Sequence, residues 1–545
     1  MNSINLKRMR RVAVFVAFAC APASHVLAES KIGGDLSSTT EIKGGVLNAA
    51  IGKSATAKTN VNSVKNSKVG GDAELELNMT GGVLNAAIGK NVSAKTNLNS
   101  IEDSKVGQDL TIKTDIEGGV LNAAIGSFGK AEANVGSIKK SKIDGSAELD
   151  TNIKGGVLNA AIGKGTYAKT NVGSIDNSKI KGNAKISTEI KGGVLNAAIG
   201  TGTFAETNLG SVKKSTVSGD VDIDTKLVGG MLNAAIGTAG YAKTSVGSIE
   251  DSKIKGDATI KTDIKGGVLN AAIGQGTYAK TNVGSVTGSK LGGDLTLKTE
   301  IKGGVVNAAV GYGAAATANV GAINKSKIGG DASIETKLKG AVVNAAVGAG
   351  TFAATNLGSV NKSKVGGSLD MKTDVKGAIV NAAIGAASYA KTNVGSLDKA
   401  KIGGNATVDT SVKGAVVNAA IGVGTLAKTN VGSVSNSRIG GNLEMDTKIK
   451  GGVVNAAIGL GSLAKTDVGS VTNSRIAGNA DISTSVKGGV VNAAIGLGTR
   501  AKTKIGSVVN TSASSVTMDT NLSGGSVNAA IGLGSSSSVS HGSVQ

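Results

Sequence analysis

Side chains able to do covalent chemistry are almost absent from this sequence. It has one Cys, Cys20, and two His, of which His541 lies in a Ser-rich C-terminal stretch. No Ser–His–Asp or Cys–His constellation can be assembled from that inventory, nor the His and Cys clusters that hold zinc. Carboxylates are scattered: Asp115, Asp263 and Asp374 occupy one recurring slot that elsewhere holds Asn152, Lys226 or Ser411. A general acid/base pair is not diluted in this way. The calcium-binding nonapeptide GGxGxDxUx does not occur. The stretch Gly163-Lys-Gly165-Thr-Tyr-Ala168 superficially matches a dinucleotide-binding fingerprint, but it recurs along the chain with no helical crossover and reads as a turn. The expectation is a protein that is not an enzyme, with no catalytic residues, no cofactor and no metal site.

Charge is the other chemistry on offer. The 59 Lys and Arg against 38 Asp and Glu give a formal charge of +21, which favours anionic surfaces or polyanions as partners. Basic residues recur in columns, as at Lys43, Lys154, Lys191 and Lys265, and at Lys58, Lys95 and Lys169. Acidic residues interleave and aromatics are only 2% of the chain, so specific nucleic-acid recognition is not expected. Most aromatics share one slot, at Tyr167, Phe204, Tyr241, Tyr278, Phe352 and Tyr389. The same slot also holds Ser93, Leu426 and Arg500, as a half-exposed corner would. A Thr column at Thr59, Thr96, Thr170, Thr207 and Thr244 admits ice binding as a further, weaker reading.

These columns follow from a repeat. The motif NAA(I/V)G places its Asn at Asn48, Asn85, Asn122 and every 37 residues to Asn492, with a last copy at Asn528 after 36. A fixed period over so many copies marks a stacked repeat architecture. Leu110 to Ile116 alternates apolar and polar residues in the period-2 pattern of a half-buried strand, Gly118-Gly119 punctuates it, and Val120 to Ile125 reads as a second strand. The unit looks internally doubled. Thr447 matches Thr466 at a separation of 19, and Val453 matches Val471 and Asn455 matches Asn473 at 18. The expected fold is therefore all-β, a β-solenoid of tandem 37-residue repeats with two coils of 18–19 residues per repeat, on the order of 130 Å long at about 4.8 Å per coil. The Lys68, Lys105, Lys142 and Lys179 column supports the doubling. With one coil per repeat its charges would stack about 4.8 Å apart, costing roughly 0.9 kcal/mol per pair even in water. Asn columns are expected to form amide ladders.

Residues 1–28 read as a signal peptide, with Lys7, Arg8, Arg10 and Arg11 before the apolar run Val12 to Ala21 and a Val26-Leu27-Ala28 cleavage site. Its removal takes the only Cys and the only Pro and lowers the formal charge to +17. The remaining organisation reads as a fourteen-repeat solenoid over 29–530 and a Ser-rich polar tail over 531–545. No later segment is apolar enough for a membrane span. The sequence Gly45-Val-Leu-Asn48-Ala-Ala50 fits a G-x-x-N-x-A core and resembles curlin-like bacterial functional-amyloid repeats, although the Gln ladders of that class are absent and Lys is commoner. The resemblance implies extracellular fibre or biofilm-matrix work. The expected function is a secreted, extracellular or cell-surface structural or adhesive rod that self-associates end to end. The alternative is a monomeric adhesin for polyanions or glycans.

Overall fold

Each 37-residue repeat closes one turn of a β-solenoid. The structure is a computed structural model that describes residues 30–54 and 56–544, together with the backbone of two strands, Val14–Ala17 and Val26–Ala28. Those two strands pair in parallel with Thr40–Lys43 and Ser63–Lys65. The rest of the signal-peptide reading, including Cys20 and the basic residues before it, lies outside the described residues. No helix occurs among those that are described.

One coil contains five strands, typified by Leu110–Glu117, Val120–Ser127, Lys130–Val135, Ile138–Lys139 and Lys142–Ile143. Their equivalents stack into five parallel sheets of 15, 14, 14, 14 and 13 strands, called here the first to fifth sheets in that order. The register is uniform: Leu110 pairs with Ala147, Asn122 with Asn159, and Lys105 with Lys142. Every residue therefore lies beside its equivalent 37 positions on.

That register corrects the doubled reading. There is one coil per repeat, not two of 18–19 residues, and fourteen coils at about 4.8 Å span about 65 Å rather than 130 Å. The internal similarity is between the two halves of a single coil, each a strand, a turn and a strand. The Lys argument fails for a physical reason. The Lys68 column stacks at strand spacing after all, but its side chains are at least partly in water. Long stems keep their ammonium groups hydrated, Asp144 bridges Lys105 and Lys142, and continuous backbone pairing with matched apolar columns outweighs the residual repulsion.

The core is thin, as the composition requires. Inward residues of the fourth and fifth sheets pack on the first half of the first sheet, as with Ile138, Ile143 and Leu149. The second half of the first sheet packs on the start of the second and the end of the third, as with Ile153, Val157 and Val172. Where the second and third sheets converge, side chains are mostly small, and Ala272, Ala279, Ala309 and Ala316 form that narrow seam, with Val92 among Ala57, Ala87 and Ala94 nearer one end. The Asn column predicted to ladder does so: Asn233 Nδ2 donates to Asn270 Oδ1 and Asn270 Nδ2 to Asn307 Oδ1, both at 3.0 Å. A second ladder runs up the third sheet, where Asn134 Nδ2 donates to Asn97 Oδ1 and Asn171 Nδ2 to Asn134 Oδ1, both at 2.8 Å.

Corners need special residues. Gly163 has φ of +136°, and a Cβ there would lie 1.9 Å from the Gly126 carbonyl oxygen of the preceding coil, so only Gly fits. The corner between the fourth and fifth sheets is fastened by Ser141, whose Oγ donates to the Lys139 carbonyl (2.8 Å) and whose N–H donates to Ser178 Oγ (3.1 Å). The segment read as a polar tail is structured: Ser536–His541 extends the third sheet by pairing with Arg500–Ile505. The missing residue before Asn528 is absorbed after the last fourth-sheet strand. There the fifth-sheet strand is reduced to a single bridge between Arg475 and Ser512.

Candidate functional site

The bend between the third and fourth sheets is re-entrant. A tight turn with positive φ, at Asn99 in one coil and Gly136 (φ +52°) in the next, folds the outward side of the third sheet against the outward side of the fourth. Residues that alternation would send to solvent are buried instead: Glu132, Asn134 and Lys139 are each less than 9% exposed. The groove runs along the solenoid and is filled with charge.

In six coils its filling is complementary. The third residue of a third-sheet strand meets a residue seven positions later, on the fourth sheet. Lys95 Nζ lies 2.6 Å from Glu102 and Lys243 Nζ 2.8 Å from Glu250. Lys169 pairs with Asp176 and Lys391 with Asp398. In two coils the order inverts, with Glu132 facing Lys139 and Glu206 facing Lys213. Where Thr317 and Ala354 replace the charge on one side, Asn324 and Asn361 replace it on the other. Pairs also bridge coils: Lys280 Nζ sits 2.5 Å from Glu250, and Lys139 Nζ 3.4 Å from Glu102.

Electrostatics follow from burial and pairing. Burial pushes the Glu250 carboxyl up, but Lys280 and Lys243 outweigh it and hold the group at about 2. Burial pulls Lys139 down to about 8 against the opposing field of Glu102. At an exposed corner, hydrogen bonds from Lys181 (2.8 Å), Lys142 (3.0 Å) and Lys105 (3.2 Å) hold Asp144 well below the usual carboxylate range.

The aromatic slot opens each third-sheet strand, at the rim of this groove. Tyr167, Phe204, Tyr241 and Tyr278 form one continuous stack with centroids 4.9, 4.8 and 5.1 Å apart, and Phe352 stacks on Tyr389 at 5.2 Å. Each ring within the longer stack therefore has its faces covered by its neighbours, which leaves only edges for a ligand.

The sequence-predicted columns divide. Lys43, Lys154, Lys191 and Lys265 end first-sheet strands and are exposed. The second column does not form a basic stripe: Lys58 is exposed, but Lys95 is half-buried and Lys169 buried, and the latter two are neutralised in the groove. The Thr59, Thr96, Thr170, Thr207 and Thr244 column points inward and is buried, so it presents no face to a solid surface. Asp115, Asp263 and Asp374 stand half-buried on the outer side of the first sheet, where Asn152 Nδ2 donates to Asp115 Oδ1 at 3.1 Å. The recurring Gly163-Lys-Gly165 is a corner between the second and third sheets.

Sequence reading missed the groove. The signal was present in the charges seven residues apart, whose signs invert together at Glu132/Lys139 and Glu206/Lys213. Among the described residues no group of three His, Cys, Asp or Glu side chains is placed to hold a metal ion, and no helix is long and apolar enough to cross a membrane. No family model, curated protein or solved structure matches the chain.

Proposed function

We propose that this chain is a non-enzymatic structural rod, exported to the cell surface or beyond, that joins end to end into fibres. The observation that carries the reading is the state of the C-terminal coil. Its strands Val516–Ser523, Ser526–Ile531 and Ser536–His541 are the last members of three sheets, each paired on one side only among the described residues. Core-facing Met518 and Leu522 are only partly covered there. An edge strand of this kind is a template for another strand. Since every coil carries the same register, any first coil fits any last one. The likeness of Gly45 to Ala50 to curlin-like repeats points the same way.

The test is electron microscopy of the purified chain beside a chain carrying a folded domain fused directly after residue 545. Filaments are expected from the first and isolated rods from the second, with equal amide-exchange protection of interior coils. Isolated rods from the unmodified chain at high concentration, or filaments from the fusion, overturn the reading.

A specific observation favours polyanion adhesion as a second activity. Lys31, Lys68, Lys105, Lys142 and Lys179 open successive fifth-sheet strands, and Arg438 and Arg475 continue the row. Binding of such a ridge to a sulfated polysaccharide weakens steeply with salt. Retention that is indifferent to salt rules it out.

A further inference from the structure

The outward side of the second sheet differs from every other exposed surface of the coil. Along each strand the outward positions run small, large, small, large: Gly119, Leu121, Ala123 and Ile125 in one coil, and Ala341, Val343, Ala345 and Val347 in another. The third position is Ala in all fourteen copies. The second is always Leu or Val, and the fourth always Ile or Val. No charge interrupts these columns. The fourth column is open to solvent, with Ile162, Ile273 and Ile384 exposed by 38, 42 and 38%, the Leu ridge is half-buried, and the Ala furrow lies low between them. The small column beside the Leu ridge leaves an apolar trough of about 850 Å³ along Leu121, Leu158, Leu195, Leu232 and Leu269.

Outward columns of the first sheet vary between copies. Glu117, Lys154 and Val228 share one position, and Asp115, Lys226 and Ser411 another. Solvent tolerates such exchange, whereas a surface that must fit something does not. The area also demands a cover. A strand segment of about 20 Å across a stack of about 65 Å gives about 1,300 Å², where a monomer rarely exposes an apolar patch beyond a few hundred.

We propose that this face docks on the same face of a second copy of the chain, about a two-fold axis running along the solenoid. That operation keeps the two rods parallel, sets coil opposite coil and reverses strand direction across the interface. Reversal places each Leu or Val ridge over the partner's Ala furrow and each Ile or Val ridge over the partner's Gly or Ala trough, so small meets large at all four columns. A two-fold axis along the strands would instead set ridge on ridge. The pair buries about 2,600 Å², above the roughly 1,600 Å² of a standard stable interface. Such interfaces are isologous, which the small–large order satisfies because its reverse is its own complement.

The proposal is independent of end-to-end growth, because terminal fusions leave the face open and substitutions on the face leave the ends open. The test is sedimentation of the chain blocked at its end by the folded domain fused after residue 545, and of the same fusion carrying Ile236→Glu/Ile273→Glu, whose altered side chains already lie in solvent. A dimer is expected for the first and a monomer for the second, with unchanged circular dichroism and interior amide protection. A mixture of Leu269→Cys and Ala271→Cys chains is expected to cross-link far faster than either variant alone. A monomeric parent chain, a variant that stays dimeric, or cross-linking fastest for Ala271→Cys alone overturns the proposal.

Discussion

Replacing Glu250 by Gln removes one charge from the groove while keeping the shape of the side chain. Glu250 is wholly buried, takes Lys280 at 2.5 Å and Lys243 at 2.8 Å, and accepts a hydrogen bond from Ser245 Oγ at 3.0 Å. Its two lysines hold the carboxyl at about 2, against an ordinary value of 4.5. Each pKa unit corresponds to 1.36 kcal/mol, so ionised Glu250 stabilises its surroundings by about 3 kcal/mol. The same size is expected from leaving a buried charge unpartnered. The sign follows from the direction of the shift. A carboxyl whose folded pKa is depressed contributes stability that is fully present above pH 4.5 and lost as pH falls through 2. In a stacked repeat the loss is local, so the assay is amide exchange over residues 212–287, corrected for intrinsic rates. At pH 7 the variant should lose about 3 kcal/mol of protection there and little in coils beyond residue 400. At pH 2 parent and variant should coincide. An equal deficit at both pH values would mean that packing, not charge, is at stake, and no deficit at pH 7 would refute the groove as a site of coupled burial.

The inverted pairs supply a second expectation. Lys243→Glu alone should destabilise its coil, and adding Glu250→Lys should restore most of the loss, because Glu206 with Lys213 already uses that order one coil earlier; a thermodynamic cycle with no coupling would count against direct pairing. Asn270→Leu should cost about 1–3 kcal/mol, since Asn233 loses its acceptor and Asn307 its donor in a buried ladder. Tyr278→Ser should cost about 1 kcal/mol or less, because Tyr278 ends its stack on Tyr241 and faces Ala315 on the other side. Thermal unfolding that ranks Tyr278→Ser above Asn270→Leu would contradict the assignment of buried and rim columns.

The repeat, the strands and the amide ladder were legible because each is a statement about equivalent residues. Asn122 must lie beside Asn159 once the period is structural, whatever the coil looks like. What did not follow from the period was the path of the chain within one coil. The match between Val453 and Val471 is a similarity of local conformation, a strand leaving a turn toward the core, and it carries no information about which strands pair. Pairing is decided by register over all five strands at once, and only the 37-residue shift matches apolar with apolar, Gly with Gly and Asn with Asn in every one. The Lys68 column misled because its repulsion was weighed alone, whereas water and a bridging carboxylate, Asp144, offset it. The Thr column misled in another way. Thr170 and Lys169 are neighbours on opposite sides of one strand, so the polar side chain faces inward and the charged one faces the groove. Alternation alone cannot foresee an outward residue that a re-entrant bend buries again.

Fourteen copies in one chain allow constraint to be read from within the sequence, and three regimes appear. Inward columns of the core accept exchanges among apolar side chains, as at Ile112, Leu149 and Ile186, and at Leu110, Ala147 and Val221. The groove columns couple where opposite charges meet, since Glu132 comes with Lys139 and Glu206 with Lys213, while other coils set Lys280, Lys428 and Lys465 against Thr287, Ser435 and Thr472. Outward columns of the first sheet exchange charge, polarity and size, as Glu117, Lys154 and Val228 do. The outward columns of the second sheet belong by exposure to this last class but by variation to the first: they behave as a core that has no other half within the chain. Burial inside one coil cannot produce that pattern, and neither can end-to-end growth, which buries only the terminal strands. A surface that repeats its small–large order through every coil is selected along its whole length, and only a partner as long as the solenoid, with the same period, touches all of it.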